Sequence, residues 1–193
     1  MKLGQEFWND RYLTQNIQWN LGQVSPPLKQ YFEQITNKEI KILIPGCGNA
    51  YEAEYLSQLG FTNIVLIDIA PKIVEELKDK FEHKNNIQVI HDDFFNHINT
   101  YDLIIEQTFF CALNPDLRKQ YVEKMHQLIN TNGKLVGLLF NKIFEADGPP
   151  FGGTIEEYIL LFNKYFHLNT FENCYNSFSK RENTELFINC TKK

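Results

Sequence analysis

The chain has 193 residues, of which 43% are hydrophobic, 14% aromatic and 22% charged. That is enough apolar surface for one sizeable core, which excludes disorder over most of its length and leaves two full domains cramped. A formal net charge of −5 with scattered Lys and Arg excludes a phosphate-backbone footprint, so no nucleic-acid partner is expected. Cys47, Cys111, Cys174 and Cys190 form no C-x-x-C pair, and the opening MKLGQEFWNDRY has no signal-peptide pattern. No apolar run nears the ~18–20 residues of a membrane span. A cytoplasmic protein with reduced thiols and no membrane partner is expected.

Residues 1–39 carry Trp8, Tyr12 and Trp19, then Ser25-Pro26-Pro27 before an amphipathic stretch at 28–35. Asn16 and Asn20-Leu21-Gly22 predict that any helix here is interrupted. Beyond them, short apolar runs alternate with helical-period segments, predicting strands at 40–44, 64–68, 87–91, 101–106 and 134–140. The order is that of an open α/β sheet. A helix over 71–81 follows the second strand; Asn114-Pro115 opens one at 116–129 that Asn132-Gly133 closes. Thr154-x-x-Glu157 is a capping box before 158–165. Two β-rich stretches, 168–178 and 185–191, predict a terminal antiparallel hairpin. We expect one domain, 1–193, with 1–39 as a lid over the carboxyl ends of the strands and 40–193 as the core.

The most informative stretch is Lys41-Ile42-Leu43-Ile44-Pro45-Gly46-Cys47-Gly48-Asn49-Ala50-Tyr51-Glu52, a buried strand running into a Gly-x-Gly turn and a helix. Gly46 lets the backbone approach a ligand without a Cβ, and Gly48 allows a positive-φ turn. The dinucleotide fingerprint asks for a third glycine where Tyr51 stands, which disfavours a nicotinamide or flavin cofactor. Twenty residues after Gly48, Asp68 ends the next strand, where a carboxylate can accept both hydroxyls of a ribose or cap the following helix. The third strand ends in His91-Asp92-Asp93-Phe94-Phe95; Asp93 can accept from an exocyclic amine while Phe94 covers a ring face. The fourth ends in Glu106-Gln107, read as facing a crevice. No metal-ligand spacing joins the histidines and cysteines, so no metal is expected, and no G-x-S-x-G elbow is present.

Ile44-Pro45-Gly46-Cys47-Gly48, Asp68, Asp93-Phe94 and the Glu106 strand resemble the sequential motifs of Rossmann-like S-adenosylmethionine-dependent methyltransferases. Phe7-Trp8-Asn9-Asp10-Arg11-Tyr12 with Trp19, Phe109-Phe110-Cys111-Ala112-Leu113 and Gly148-Pro149-Pro150-Phe151 are similar to the thiopurine S-methyltransferase superfamily, in its halide, thiocyanate and thiol methyltransferase branch. The resemblance implies a class I seven-stranded mixed sheet with its last strand antiparallel, helices on both faces and an N-terminal helical lid. It implies S-adenosylmethionine as cofactor, S-adenosylhomocysteine as product, and contacts from Trp8, Tyr12 and Trp19 in the lid, Gly46 in the first loop, Asp68 on the ribose, Asp93 and Phe94 on the adenine, and Gln107.

The implied reaction is methyl transfer to a small sulfur or halide nucleophile: bisulfide, a thiol, thiocyanate or halide. Alternatives are aromatic, thiopurine-like thiols, selenium or tellurium oxyanions, or a non-catalytic cofactor-binding module. An anionic acceptor needs placing and partial desolvation but no base. For a neutral thiol, Glu106, Tyr12 and Arg11 are the polar candidates, among which the sequence does not choose. Phe109, Phe110, Cys111 and Phe151 are candidates for a small apolar acceptor pocket. A monomer acting on a small-molecule acceptor is expected.

Overall fold

Wherever the chain must run between layers, the strands are apolar on both sides, and in the computed structural model β1 (Ile42–Pro45) and β2 (Ile64–Asp68) are buried at every position. Such strands are stable only inside a parallel sheet covered on both faces. The structure describes residues 3–193; Met1 and Lys2, the first two residues of the expected lid and domain, lie outside the described residues. Seven strands form one mixed sheet in the order β3-β2-β1-β4-β5-β7-β6. The chain's contacts gather it into two compact units, Met1–His97 and Ile98–Lys193.

In the first unit α1 (Gln5–Leu13) and α2 (Pro26–Glu33) precede β1; α3 (Tyr51–Gln58) and α4 (Pro71–Lys80) connect β1 to β2 and β2 to β3 (Ile87–His91). The pairing is parallel throughout, with Ile42 opposite Ile64 and Ile64 opposite Ile87. α4 buries Ile73, Val74 and Leu77, the narrow stripe that its apolar spacing dictates. Each such fully buried aliphatic side chain contributes roughly 1.5–3 kcal/mol. The expected break in the N-terminal segment falls after Leu13: Gln15 sits at φ +56°, and the Asn20 side chain accepts from Gly22 N at 2.8 Å.

In the second unit β4 (Tyr101–Gln107) and β5 (Ile129–Phe140) are parallel and flank α5 (Arg118–Leu128) in sequence; α6 (Ile155–Phe162), β6 (Phe166–Asn173) and β7 (Glu185–Lys192) follow. β6 and β7 form the expected hairpin, with β7 next to β5 and antiparallel to it. Thr154 caps α6 as the capping box requires, accepting from Glu157 N. One boundary differs. Asn132-Gly133 does not close a helix: α5 stops at Leu128, and β5 starts at Ile129 and runs through both residues. Asn132 takes φ +64°, and the register slips between Tyr101 and Leu103, so the Asn-Gly pair forms a bulge in a strand. A Cβ on Gly133 would stand 2.7 Å from Ile129 Cγ2 and 3.0 Å from Asp102 O, so β4 packs too closely for any other residue there.

Candidate active site

β1 ends at Pro45, and the chain then turns through Gly46 (φ +55°), Gly48 (φ +50°) and Ala50 (φ +55°) into α3. Asp68, buried at the end of β2, holds this turn: Oδ2 accepts from Gly48 N at 3.1 Å and Oδ1 from Ala70 N at 3.0 Å. Asp68 therefore braces the glycine loop and the entry to α4, which is the capping reading of this carboxylate. Burial pushes its carboxyl above the usual range, against the pull of the Ala70 and Gly48 N–H groups. Ala50 in the left-handed region is strain that sequence reasoning missed, costing about 1–2 kcal/mol.

Trp8, Tyr12 and Trp19 come together beside this loop. Trp19 meets Trp8 and Tyr12 edge to face, with ring centroids 5.7 Å away in both cases. A Cβ on Gly48 would lie 3.4 Å from Tyr12 Oη and 4.0 Å from Trp19 Nε1, so Tyr12 and Trp19 stand against the glycine backbone. Tyr12 is buried, and burial, reinforced by the Asp68 carboxylate, raises its hydroxyl pKa far above the ordinary value. It stays protonated and accepts a hydrogen bond from the Trp19 indole, which removes it from the candidate bases. Arg11 lies over the Phe7 ring at 4.9 Å.

Asp93 and Phe94 occupy the turn after β3. Asp93 Oδ1 accepts from Phe95 N at 2.9 Å, an Asx turn that fixes the loop, and Phe94 is buried edge to face with Phe95 at 5.3 Å. The preceding residue ties this turn to the Asp68 strand end, Asp92 N donating to Asp68 O at 3.3 Å.

In the second unit, Gln107 ends β4, and its Oε1 is buried without a hydrogen-bond partner. Thr108 follows at φ +59°. The expectation that Glu106 faces a crevice is corrected. Glu106 is completely buried: Oε1 accepts from Phe109 N at 2.8 Å and Phe110 N at 2.9 Å, and Oε2 from the Tyr121 hydroxyl at 2.5 Å. Burial pushes its carboxyl up to about 7. It caps the short 3-10 turn at Phe110–Ala112, with both oxygens engaged inside the protein's own fold. Phe110 is core as well, packed on Tyr121, Tyr158 and Phe162. Cys111 donates to Thr108 O at 3.3 Å, and burial pushes its thiol up to about 12. Phe109 and Phe151 are half-buried, and Phe151 N donates to Cys111 O at 2.7 Å.

Sequence reasoning also passed over Arg118. It is buried, its Nη1 donates to Glu157 Oε1 and its Nη2 to Gly152 O, both at 2.7 Å, and its guanidinium lies over Phe110 at 5.1 Å and Tyr158 at 5.5 Å. One fork thus joins α5, the Phe110 turn, the loop before α6 and α6 itself. Among the described residues, no group of three His, Cys, Asp or Glu side chains is arranged to hold a metal, and no helix is long and apolar enough to cross a membrane.

The family description of thiopurine S-methyltransferase matches residues 3–192. The chain belongs to the thiopurine S-methyltransferase family. It is therefore an S-adenosylmethionine-dependent methyltransferase, with S-adenosylmethionine as its cofactor. Relatives include a probable thiol methyltransferase 2 of Arabidopsis thaliana, 28% identical over 156 residues covering 78% of this chain and 69% of the relative. A thiopurine S-methyltransferase of Vibrio parahaemolyticus is 27% identical, covering 83% of this chain and 82% of its own. Thiocyanate methyltransferase 1 of Brassica oleracea is 22% identical, and the matched part covers 72% of this chain and 64% of that relative. Solved structures share the fold of this thiopurine S-methyltransferase family member. A Burkholderia thailandensis 1,6-didemethyltoxoflavin-N1-methyltransferase with bound S-adenosylhomocysteine has TM-score 0.76 at 15% identity, over 98% of this chain and 87% of its own. The magnesium protoporphyrin IX methyltransferase of Synechocystis with bound S-adenosylmethionine has TM-score 0.77 at 13% identity, over 98% and 95%.

Proposed function

We propose that this methyltransferase acts on a small sulfur or halide nucleophile that arrives as an anion: bisulfide, a thiolate, thiocyanate or halide. The observation that carries the choice is the state of the candidate bases. Glu106 has both oxygens committed to Phe109 N, Phe110 N and Tyr121, and Tyr12 is held protonated. An acceptor already ionised needs neither. The names of the thiol and thiocyanate methyltransferase relatives support the same class.

The residues present fit the cofactor. Gly46 and Gly48 turn the backbone at positive φ without a Cβ beneath Tyr12 and Trp19, and the Asp68 carboxylate lies beside that turn on Gly48 N. In this reading Trp8, Tyr12 and Trp19 cover the sulfonium, Gly46 and Asp68 hold the amino-acid and ribose portions, and Asp93 and Phe94 take the adenine. When bound, S-adenosylmethionine supplies an activated methyl group for in-line displacement. The chain's own contribution is placement: indole and phenol faces stabilise a cation by roughly 0.5–2 kcal/mol and exclude water, and desolvation sharpens the nucleophile. The reading has the protein acting in the cytoplasm as a monomer on a small-molecule acceptor; four free, buried cysteines support a reducing compartment.

The test incubates the protein with S-adenosylmethionine and bisulfide, thiocyanate or iodide in sealed vials and assays the headspace for the methylated products. Product above an Asp68→Ala control is expected. Silence in every vial while an aromatic thiol is methylated would overturn the small-anion reading in favour of a thiopurine-type acceptor, the reading suggested by the Vibrio relative's name.

A further inference from the structure

α4 starts without a side-chain cap of its own. Its N-cap position is Ala70 and its first residue Pro71, which has no N–H, so the first exposed donor of the helix is Lys72 N. That donor is satisfied from 63 residues away: Asn9 Oδ1 accepts from Lys72 N at 2.8 Å. Asn9 therefore serves α4 as the amide cap that local sequence lacks, with its carbonyl at the positive end of the helix.

The bond has a second end. Asn9 lies in the middle of α1, next to Trp8 and one turn before Tyr12, the only α1 residue that is buried. Leu13 at the end of α1 is 60% exposed. A nine-residue helix with so little buried surface is marginal by itself and depends on what anchors it. Tyr12 anchors one point, and the Asn9–Lys72 bond supplies a second, which stops α1 rolling about its axis. With the roll set, Trp8 and Tyr12 both reach Trp19 above Gly48.

We propose that Asn9 is a positioning residue for cofactor binding: by capping α4 it locks the lid helix in the orientation that assembles the Trp8–Tyr12–Trp19 cluster. This rests on the reading that the cluster covers the cofactor. Asn9 itself touches no reacting atom.

Trp8 and Trp19 are the only two tryptophans in the chain, so indole emission reports on this cluster alone. The experiment titrates S-adenosylhomocysteine into wild type, Asn9→Ala and Asn9→Asp, following binding by calorimetry and by indole emission, with acrylamide quenching of the ligand-free proteins. Asn9→Ala is expected to weaken binding about five-fold or more and to expose the indoles to quencher. Asn9→Asp keeps an acceptor oxygen at the helix start and is expected to stay within about two-fold of wild type. Thr154→Ala, which removes the cap of α6, controls for a general loss of stability. Equal weakening by Thr154→Ala and Asn9→Ala, or wild-type binding and quenching in Asn9→Ala, would overturn the latch and leave the cofactor reading intact. Calorimetric binding to wild type without any change in indole emission would overturn the aromatic reading and the latch with it, as would no binding at all.

Discussion

Glu106 shows what burial does to one residue. Both its oxygens are engaged, by Phe109 N and Phe110 N on one and the Tyr121 hydroxyl on the other, and burial lifts its carboxyl from the ordinary 4.5 to about 7. A raised carboxyl pKa means that the folded state binds the proton more tightly. The stability it contributes is full below about pH 4.5 and is lost as pH rises through about 7. Glu106→Gln keeps the acceptor for both N–H groups and removes the titration. Urea unfolding from pH 5 to 8 is expected to show the wild type losing up to about 3 kcal/mol relative to Glu106→Gln; parallel profiles would refute it. The sequence did not show this role. β4 is buried on both faces, so alternation along the strand carries no signal separating a crevice-facing position from a core-facing one. Asp68 was legible as a strand-end carboxylate that caps the next helix, because Ala70 N lies only two residues away.

At the scale of elements, local chemistry located most segments and missed their ties. Thr154-x-x-Glu157 marks the start of α6 by a bond between near neighbours, so its signature is in the sequence. Asn132-Gly133 carries the same kind of signature and means something else, because the close approach of Asp102 O makes it a strand bulge. Arg118 is the clearest tertiary tie, linking Gly152 and Glu157 while lying over two rings. Lysine cannot reproduce that planar fork. Arg118→Lys is expected to lower unfolding stability by about 1–3 kcal/mol in urea titrations, since Gly152 O loses a charged donor. A change below about 0.5 kcal/mol would show that the fork is replaceable. The same substitution is expected to raise the acceptor KM more than that for S-adenosylmethionine, because the Gly152 loop carries Phe151.

For the whole molecule, ligand binding and folding are linked. A group that binds only the folded chain stabilises it by about 2.7 kcal/mol at a hundred times its dissociation constant. In a chain of 193 residues that corresponds to a rise in Tm of roughly 5–10 °C. S-adenosylhomocysteine is expected to produce this shift in the wild type and little of it in Asp68→Ala, measured by scanning calorimetry. Equal shifts in both proteins would remove Asp68 from the cofactor site. The sequence by itself determined the α/β class, the glycine turn after β1 and the strand ends that carry Asp68, Asp93 and Gln107, because strand periodicity and βα turn chemistry are properties of neighbouring residues. Only the tertiary structure decided which polar groups the protein keeps for its own folding: Asn9 on Lys72 N, Glu106 on Tyr121, Arg118 on Glu157, and β7 between β5 and β6. The three side-chain pairs are separated by 63, 15 and 39 positions in the sequence. A hydrogen bond over such a span exists only once packing has brought both ends together and removed the water that would otherwise satisfy them.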